Sequence, residues 1–323
     1  MPASRPTSLL LIKPGSMGDV VHALPVASAI RAAWPQTRLT WVCDERWAPL
    51  LEGNPAISKI HTFPRRDFRG VGGFLRARHW YRGLREIGAD TALDLQGLLR
   101  SGLMARSSGA RRTYGLSDAR EGAGFFHTDR IPVPKNEHAV LRYLRCLPAM
   151  GIPVPEKLEW PLPAHPLPEN FSAGEPFLAL HPTSRGAGKS LDAASLAAFA
   201  ETFQKNCRAK IALLGAEGGP PIGGAIDLRG KTSLGELTAL LRAARFVVSV
   251  DSGPMHIAAA LGTPLLSIHT WSDPRLVGPF SENAWIWQGG GIRKQNIAEA
   301  PPPEKPFTTD SARAVAEFAA ARF

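Results

Sequence analysis

A twenty-residue stretch, GIPVPEKLEWPLPAHPLPEN at 151–170, divides the chain, and six of its residues are proline. Proline has a fixed φ and no amide hydrogen to donate, so this stretch is neither a regular helix nor a central strand and reads as a linker. On both sides of it, short apolar runs alternate with segments of helical spacing. Before the break the predicted strands are 8–13, 38–43, 57–63, 91–95 and 112–116, and the predicted helices 19–34, 45–52, 73–87, 98–106 and 137–150. After it the strands are 176–181, 210–215, 225–228, 245–250 and 264–269, and the helices 190–205, 233–244, 254–262 and 309–322. Such alternation builds parallel sheets with crossover helices. At 323 residues the chain is too long for one such core. The expectation is therefore α/β: two doubly wound domains, 1–160 and 161–323, with a ligand cleft between them.

Charge and cysteine usage narrow the function classes. No apolar run reaches the 18 residues of a membrane span, and the N-terminus lacks the apolar core and cleavage site of a signal peptide. Cys43, Cys146 and Cys207 are widely spaced, which predicts reduced thiols in a cytoplasmic protein and no structural zinc site. Residues 1–165 hold 23 Lys and Arg against 14 Asp and Glu, whereas residues 166–323 hold 15 against 14. The excess peaks in FPRRDFRGVGGFLRARHWYRGLR at 63–85, where seven arginines face one acid, Asp67. Such a patch suits an anionic partner, or is a solvated helix face. A nucleic-acid binder would need groove-reading or base-stacking elements, and no RNP, KH or zinc-finger pattern is present.

Three loops at predicted strand ends carry the chemistry. In LLLIKPGSMGDVVHALP at 9–25, Gly15 to Gly18 form G-x-x-G rather than G-x-G-x-x-G, and Asp19 follows. Asp19 at a helix start is either a favourable N-terminal charge, worth about 0.3–1 kcal/mol, or a general base facing a ligand. Pro25 inside the same helical pattern predicts a kink or a later helix start. In LALHPTSRGAGKS at 178–190, Thr183 and Ser184 offer hydroxyls, Arg185 and Lys189 offer charge, and Gly186 and Gly188 let a ligand approach the backbone. The spacing is not that of a Walker loop, which argues against ATP hydrolysis. The loop is a phosphate site or a solvated surface loop. In RFVVSVDSGPMHIAAALG at 245–262, a strand ends at Asp251, Ser252-Gly253-Pro254 turn into a helix, and His256 lies on its first turn. That helix start suits a pyrophosphate, or is simply a well-capped turn.

Taken together, the chain resembles the ADP-heptose:lipopolysaccharide heptosyltransferases of glycosyltransferase family 9 over nearly its whole length. The resemblance rests on KPGSMGDVVHALP at 13–25, DLQGLLRS at 94–101, HPTS and Lys189 at 181–189, GKTSL at 230–234 and FVVSVDSGPMHIAAALG at 246–262. Within the family, SMGD, ARE at 119–121 and FVVSVDSG look most like the members that add the first heptose, to the Kdo of the lipid A inner core. The resemblance implies a GT-B fold of two Rossmann-like domains, acceptor on the first and nucleotide sugar on the second, and an inverting, metal-independent transfer with no cofactor. It implies Asp19 as the base, and Thr183, Ser184, Lys189, Ser252 and Gly253 around the pyrophosphate. Asp251 and His256 are implied to hold the heptose or its phosphate, Glu217 the ribose, and Thr232 the adenine side. Arg65, Arg66, Arg69, Arg100 and Arg120 are the candidate contacts to an anionic glycolipid acceptor. The implied partners are ADP-heptose, Kdo-lipid A and the cytoplasmic face of the inner membrane, with no nucleic acid. The alternative is a family member adding a later heptose or using another nucleotide sugar and acceptor. The chain departs from the family pattern after Lys189, where Ser190-Leu191 follow, and after Glu217, where a Gly/Pro-rich segment stands in place of a helix.

Overall fold

The computed structural model describes residues 5–172, 174–184, 188–219, 221–299, 302–303 and 305–323. It divides into two compact units, Met1–Pro163 and Ala164–Phe323.

The first unit runs β1 (Ser8–Ile12), α1 (Met17–Ala33), β2 (Arg38–Asp44), β3 (Lys59–Phe63), α2 (Gly70–Glu86), β4 (Thr91–Asp94), α3 (Leu99–Ser108), β5 (Arg112–Leu116), β6 (Asp129–Ile131), α4 (Ala139–Leu144) and α5 (Cys146–Ala149). Its sheet has the order β3-β2-β1-β4-β5-β6, and every pair is parallel. Parallel strands are covered on both faces, which is why β1 reads SLLLI with all five residues buried. The chain leaves β1 toward one side and returns to β4 on the other. The loops after these two strands therefore meet at a topological switch point, where α/β sheets bind ligands.

The second unit runs β7 (Phe177–His181), α6 (Ala193–Asn206), β8 (Lys210–Leu213), β9 (Ala225–Asp227), α7 (Leu234–Ala243), β10 (Phe246–Val250), α8 (Gly253–Ala260), β11 (Leu265–Ile268), α9 (Pro274–Val277), β12 (Ala284–Gln288), β13 (Gly291–Lys294) and α10 (Thr309–Ala320). Its order is β13-β12-β11-β10-β7-β8-β9, and the switch point lies between β7 and β10. Phe199 and Phe203 of α6, Val315 and Ala316 of α10, and Trp287 of β12 pack into one core under this sheet.

Several sequence expectations need correction. The helix expected over 45–52 is a single 3₁₀ turn, Ala48–Leu50, with Pro49 inside it. The helix expected over 137–150 breaks at Arg145 into α4 and α5, and Pro148 in the second piece cannot donate back to the first. Helix α1 starts at Met17, ahead of Asp19, and runs through Pro25. Strands β6, β12 and β13 were not expected. The last two form an antiparallel hairpin closed by Gly289 and Gly290, both at positive φ.

Candidate active site

In the first unit the loop after β1 shapes the site. Ser16 caps α1 and Asp19 occupies its third helical position. The Ser16 backbone amide and hydroxyl both donate to Asp19 Oδ2, at 2.9 and 2.8 Å. The other oxygen, Oδ1, accepts from the Tyr143 hydroxyl of α4 at 2.9 Å, and Lys13 Nζ lies 3.7 Å from it. Lys13 is buried and donates to the Leu95 carbonyl after β4. Asp19 retains 34% of its side-chain exposure.

These contacts set the electrostatics. Burial pushes the Asp19 carboxyl up, but Lys13, His22 and the two Ser16 bonds outweigh it and hold the group well below the usual carboxylate range. Burial lowers Lys13, against the attraction of Asp19 and Asp94. Burial and the Asp19 charge both raise Tyr143, which stays a neutral donor. A pocket of about 480 Å³ opens here, lined by Lys13, Asp19, Gln96, Arg120, Arg142 and Tyr143 among others.

The β4 wall of this pocket is fixed by Asp94, which is 1% exposed. It accepts from the Gln96 and Gly97 amides at 2.9 and 3.0 Å and from Ser101 Oγ at 2.9 Å, with His127 Nε2 at 3.0 Å. His127 lies so close to β5 that a Cβ on Gly115 would stand 2.1 Å from its ring.

Of the five arginines expected at an acceptor, only Arg120 lines this pocket. Arg65 and Arg66 are exposed on a 3₁₀ turn after β3, and Arg69 is exposed at the start of α2. Arg100 on α3 is half-buried; burial first, then Arg65, lowers its pKa. Lys13, Gln96, Asp118, Arg142 and Tyr143 are the polar pocket residues that sequence reasoning leaves unassigned. Lys13 and Gln96 stand inside quoted motifs; Arg142 and Tyr143 carry no local signal.

In the second unit, the loops after β7 and β10 meet at the switch point. Lys189 Nζ donates to Asp251 Oδ2 at 3.0 Å and lies 4.1 Å from the centre of the Trp271 ring. Ser184 Oγ donates to the Asp251 carbonyl at 2.9 Å. Ser252, which caps α8, has its hydroxyl 3.2 Å from His181 Nδ1. Burial raises the Asp251 carboxyl, but His269, Lys189 and His256 together leave it lowered. His256 is buried on the first turn of α8. Thr183 is seated against Gly215, where a Cβ would stand 2.8 Å from its hydroxyl.

Glu217 is exposed on the turn after β8. Its Cβ packs against Gly230, two residues before Thr232, so these two expected donor residues share one corner. That corner is tied by Arg229, which donates to both Asp227 oxygens and to the Gly218 carbonyl. Arg185 and Gly186 lie outside the described residues. Thus Thr183, Ser184, Lys189, Asp251, Ser252, Gly253 and His256 converge on one sheet edge, with hydroxyls, a cation and a helix N-terminus suited to a diphosphate. Among the described residues, no group of three or more His, Cys, Asp or Glu is arranged to hold a metal ion.

A family model described as glycosyltransferase family 9 (heptosyltransferase) matches residues 76–305. The chain belongs to glycosyltransferase family 9. The matched span includes Arg120, Lys189 and Asp251, while Asp19 precedes it. A Pseudomonas aeruginosa protein named lipopolysaccharide heptosyltransferase 1 is 28% identical over 300 residues, covering 85% of this chain and 82% of its own. The Haemophilus influenzae lipopolysaccharide core heptosyltransferase OpsX is 26% identical, with the same coverage. Among solved structures, the Escherichia coli heptosyltransferase WaaC with ADP superposes with a TM-score of 0.77 at 23% identity, covering 98% of this chain and 100% of that one. Family 9 membership makes the chain a glycosyltransferase, and its two α/β units have the GT-B fold of those structures.

Proposed function

We propose that this family 9 enzyme moves a heptose from ADP-heptose to a Kdo residue of the lipid A inner core, with inversion at the anomeric carbon. The observation that carries the reading is Asp19: a carboxylate clamped by Ser16 and Tyr143, kept ionised beside Lys13, and open on one side to a pocket bearing Arg120 and Arg142. In the reaction the acceptor hydroxyl attacks the anomeric carbon, the bond to ADP breaks, and Asp19 takes the hydroxyl proton. Because its pKa is depressed, Asp19 is a weak base, and the proton moves late, once the forming bond has made the hydroxyl acidic. Negative charge then grows on the departing diphosphate. Lys189, the Thr183 and Ser184 hydroxyls and the start of α8 at Ser252 and Gly253 stabilise it. Asp251 and His256 hold the sugar, and Glu217 and Thr232 the nucleoside. No step is assigned to a metal ion, so turnover should persist in EDTA.

Four relatives named heptosyltransferase 1 align at 26–28% identity and a fifth at 22%, against 23% and 24% for two named heptosyltransferase 3, and the upper values favour the first heptose on this reading. The basic first unit and an acceptor anchored in lipid support a position at the cytoplasmic face of the inner membrane on this reading. No described helix is long and apolar enough to cross a membrane. The test is incubation with ADP-heptose and Kdo-lipid A, with the product read by mass spectrometry. Asp19→Ala should lower turnover by about 10²–10⁴ while ADP binding, measured by calorimetry, is kept. Turnover by that variant at the wild-type rate refutes the base assignment, and a wild-type enzyme inert with these substrates refutes the substrate assignment.

A further inference from the structure

Eight large apolar side chains are exposed among the described residues, and five of them, Phe74, Leu75, Leu99, Leu103 and Phe125, lie on α2, α3 or the turn packed against α3. Such clustering marks an interaction face rather than scatter. Phe74 is 70% exposed and Phe125 86%. Between α2 and α3 runs a groove of about 720 Å³ with Phe74, Tyr81 and Leu103 in its lining. Arg78, Arg82, Arg85 and Arg106 also line it, and none of its lining residues is acidic.

Apolar side chains flanked by unopposed arginines form the pattern of a surface that lies in a membrane interface. A second copy docking through this face would set these arginines against their own counterparts, so self-association is disfavoured. We propose that the α2–α3 face docks on an anionic phospholipid bilayer, with an acyl chain in the groove and headgroup phosphates on the four arginines. The inference rests on the reading of the acceptor as a membrane-anchored glycolipid, and goes beyond it by assigning the face. The face is continuous with the Asp19 pocket: Leu99 opens α3 two residues after Gly97 of the pocket wall.

The test is sedimentation of the full chain with vesicles of phosphatidylcholine alone, or mixed with an equal amount of phosphatidylglycerol. Two double variants are compared, Phe74→Ser with Leu75→Ser, and Arg78→Gln with Arg82→Gln. Each also receives a deacylated, water-soluble Kdo acceptor, whose turnover reports an intact site. Wild type should bind only the anionic vesicles. The arginine pair should weaken that binding roughly 25-fold, about fivefold per charge, and the apolar pair should also lose it. Both should turn over the soluble acceptor at the wild-type rate. Variants that bind like wild type overturn the face assignment and leave the membrane reading standing. A wild type that uses the soluble acceptor but binds no vesicles, or binds neutral ones equally well, overturns lipid docking. A dimer that forms without lipid and is lost in the apolar pair overturns it in favour of self-association.

Discussion

Lys189 and Asp251 offer a test in which stability and ligand binding can be read separately. Their charged atoms are 3.0 Å apart, with side chains 18% and 13% exposed. At an effective dielectric constant of about 20 the attraction is roughly 5 kcal/mol, much of it offset by desolvation of the two ions. Lys189→Ala strands Asp251, which costs about 3–5 kcal/mol for a wholly buried pair and about 2–3 kcal/mol with this residual solvent access. In a domain of this size each kcal/mol lowers Tm by about 2–4 °C, so a fall of roughly 5–10 °C is expected by calorimetry. Adding Asp251→Asn should restore at least half of it. ADP titration separates the roles. On the proposed donor site, Lys189→Ala removes a charge-assisted hydrogen bond to the diphosphate and should weaken ADP by about 10- to 150-fold. Asp251→Asn removes a carboxylate beside an anionic ligand and should tighten ADP several-fold. If Asp251→Asn instead weakens ADP as much as Lys189→Ala does, the pair is a structural clasp and Lys189 is not the diphosphate partner.

Two further outcomes are expected. Tyr143→Phe removes one of the bonds that orient Asp19, so kcat should fall about tenfold with ADP affinity unchanged; an unaltered kcat removes Tyr143 from the positioning of the base. Burial holds His181 and His269 neutral, each lowered to about 4. As pH drops from about 6.5 to about 4, the unfolded chain takes up protons that the folded chain refuses. Stability therefore falls over that window, by up to about 3 kcal/mol per histidine. Urea unfolding at pH 7.5 and 5 reads this, and equal or greater stability at pH 5 refutes it.

The βα alternation was legible because strands covered on both faces are continuous apolar runs; FVVSV at 246–250 is buried throughout. The β12–β13 hairpin was missed although Gly289-Gly290 between apolar strands is a hairpin signal. Over 45–52 the apolar spacing suggested a helix, but Pro49 and the short distance to Pro55 leave room for one turn. The loops at Asp19, Lys189 and Asp251 stood out because polar residues follow directly on buried strands. Tyr143 did not, since its hydrogen bond to Asp19 spans 124 residues and depends on how α4 packs against α1. Arg65, Arg66 and Arg69 stand out by density of charge, and density says nothing of which side chain reaches a pocket; Arg120, outside that dense stretch, is the one that does.

The Asp94 network also has a chemical consequence for the reaction. A carboxylate has about four lone-pair positions. In Asp94 the Gln96 and Gly97 amides, Ser101 Oγ and His127 Nε2 engage all four. Such a group is held in place through both oxygens, although it sits one strand away from Asp19. On the proposed mechanism the two carboxylates at this switch point divide their labour by lone-pair occupancy: one is saturated and holds the wall still, the other keeps an edge open to solvent for the acceptor's proton.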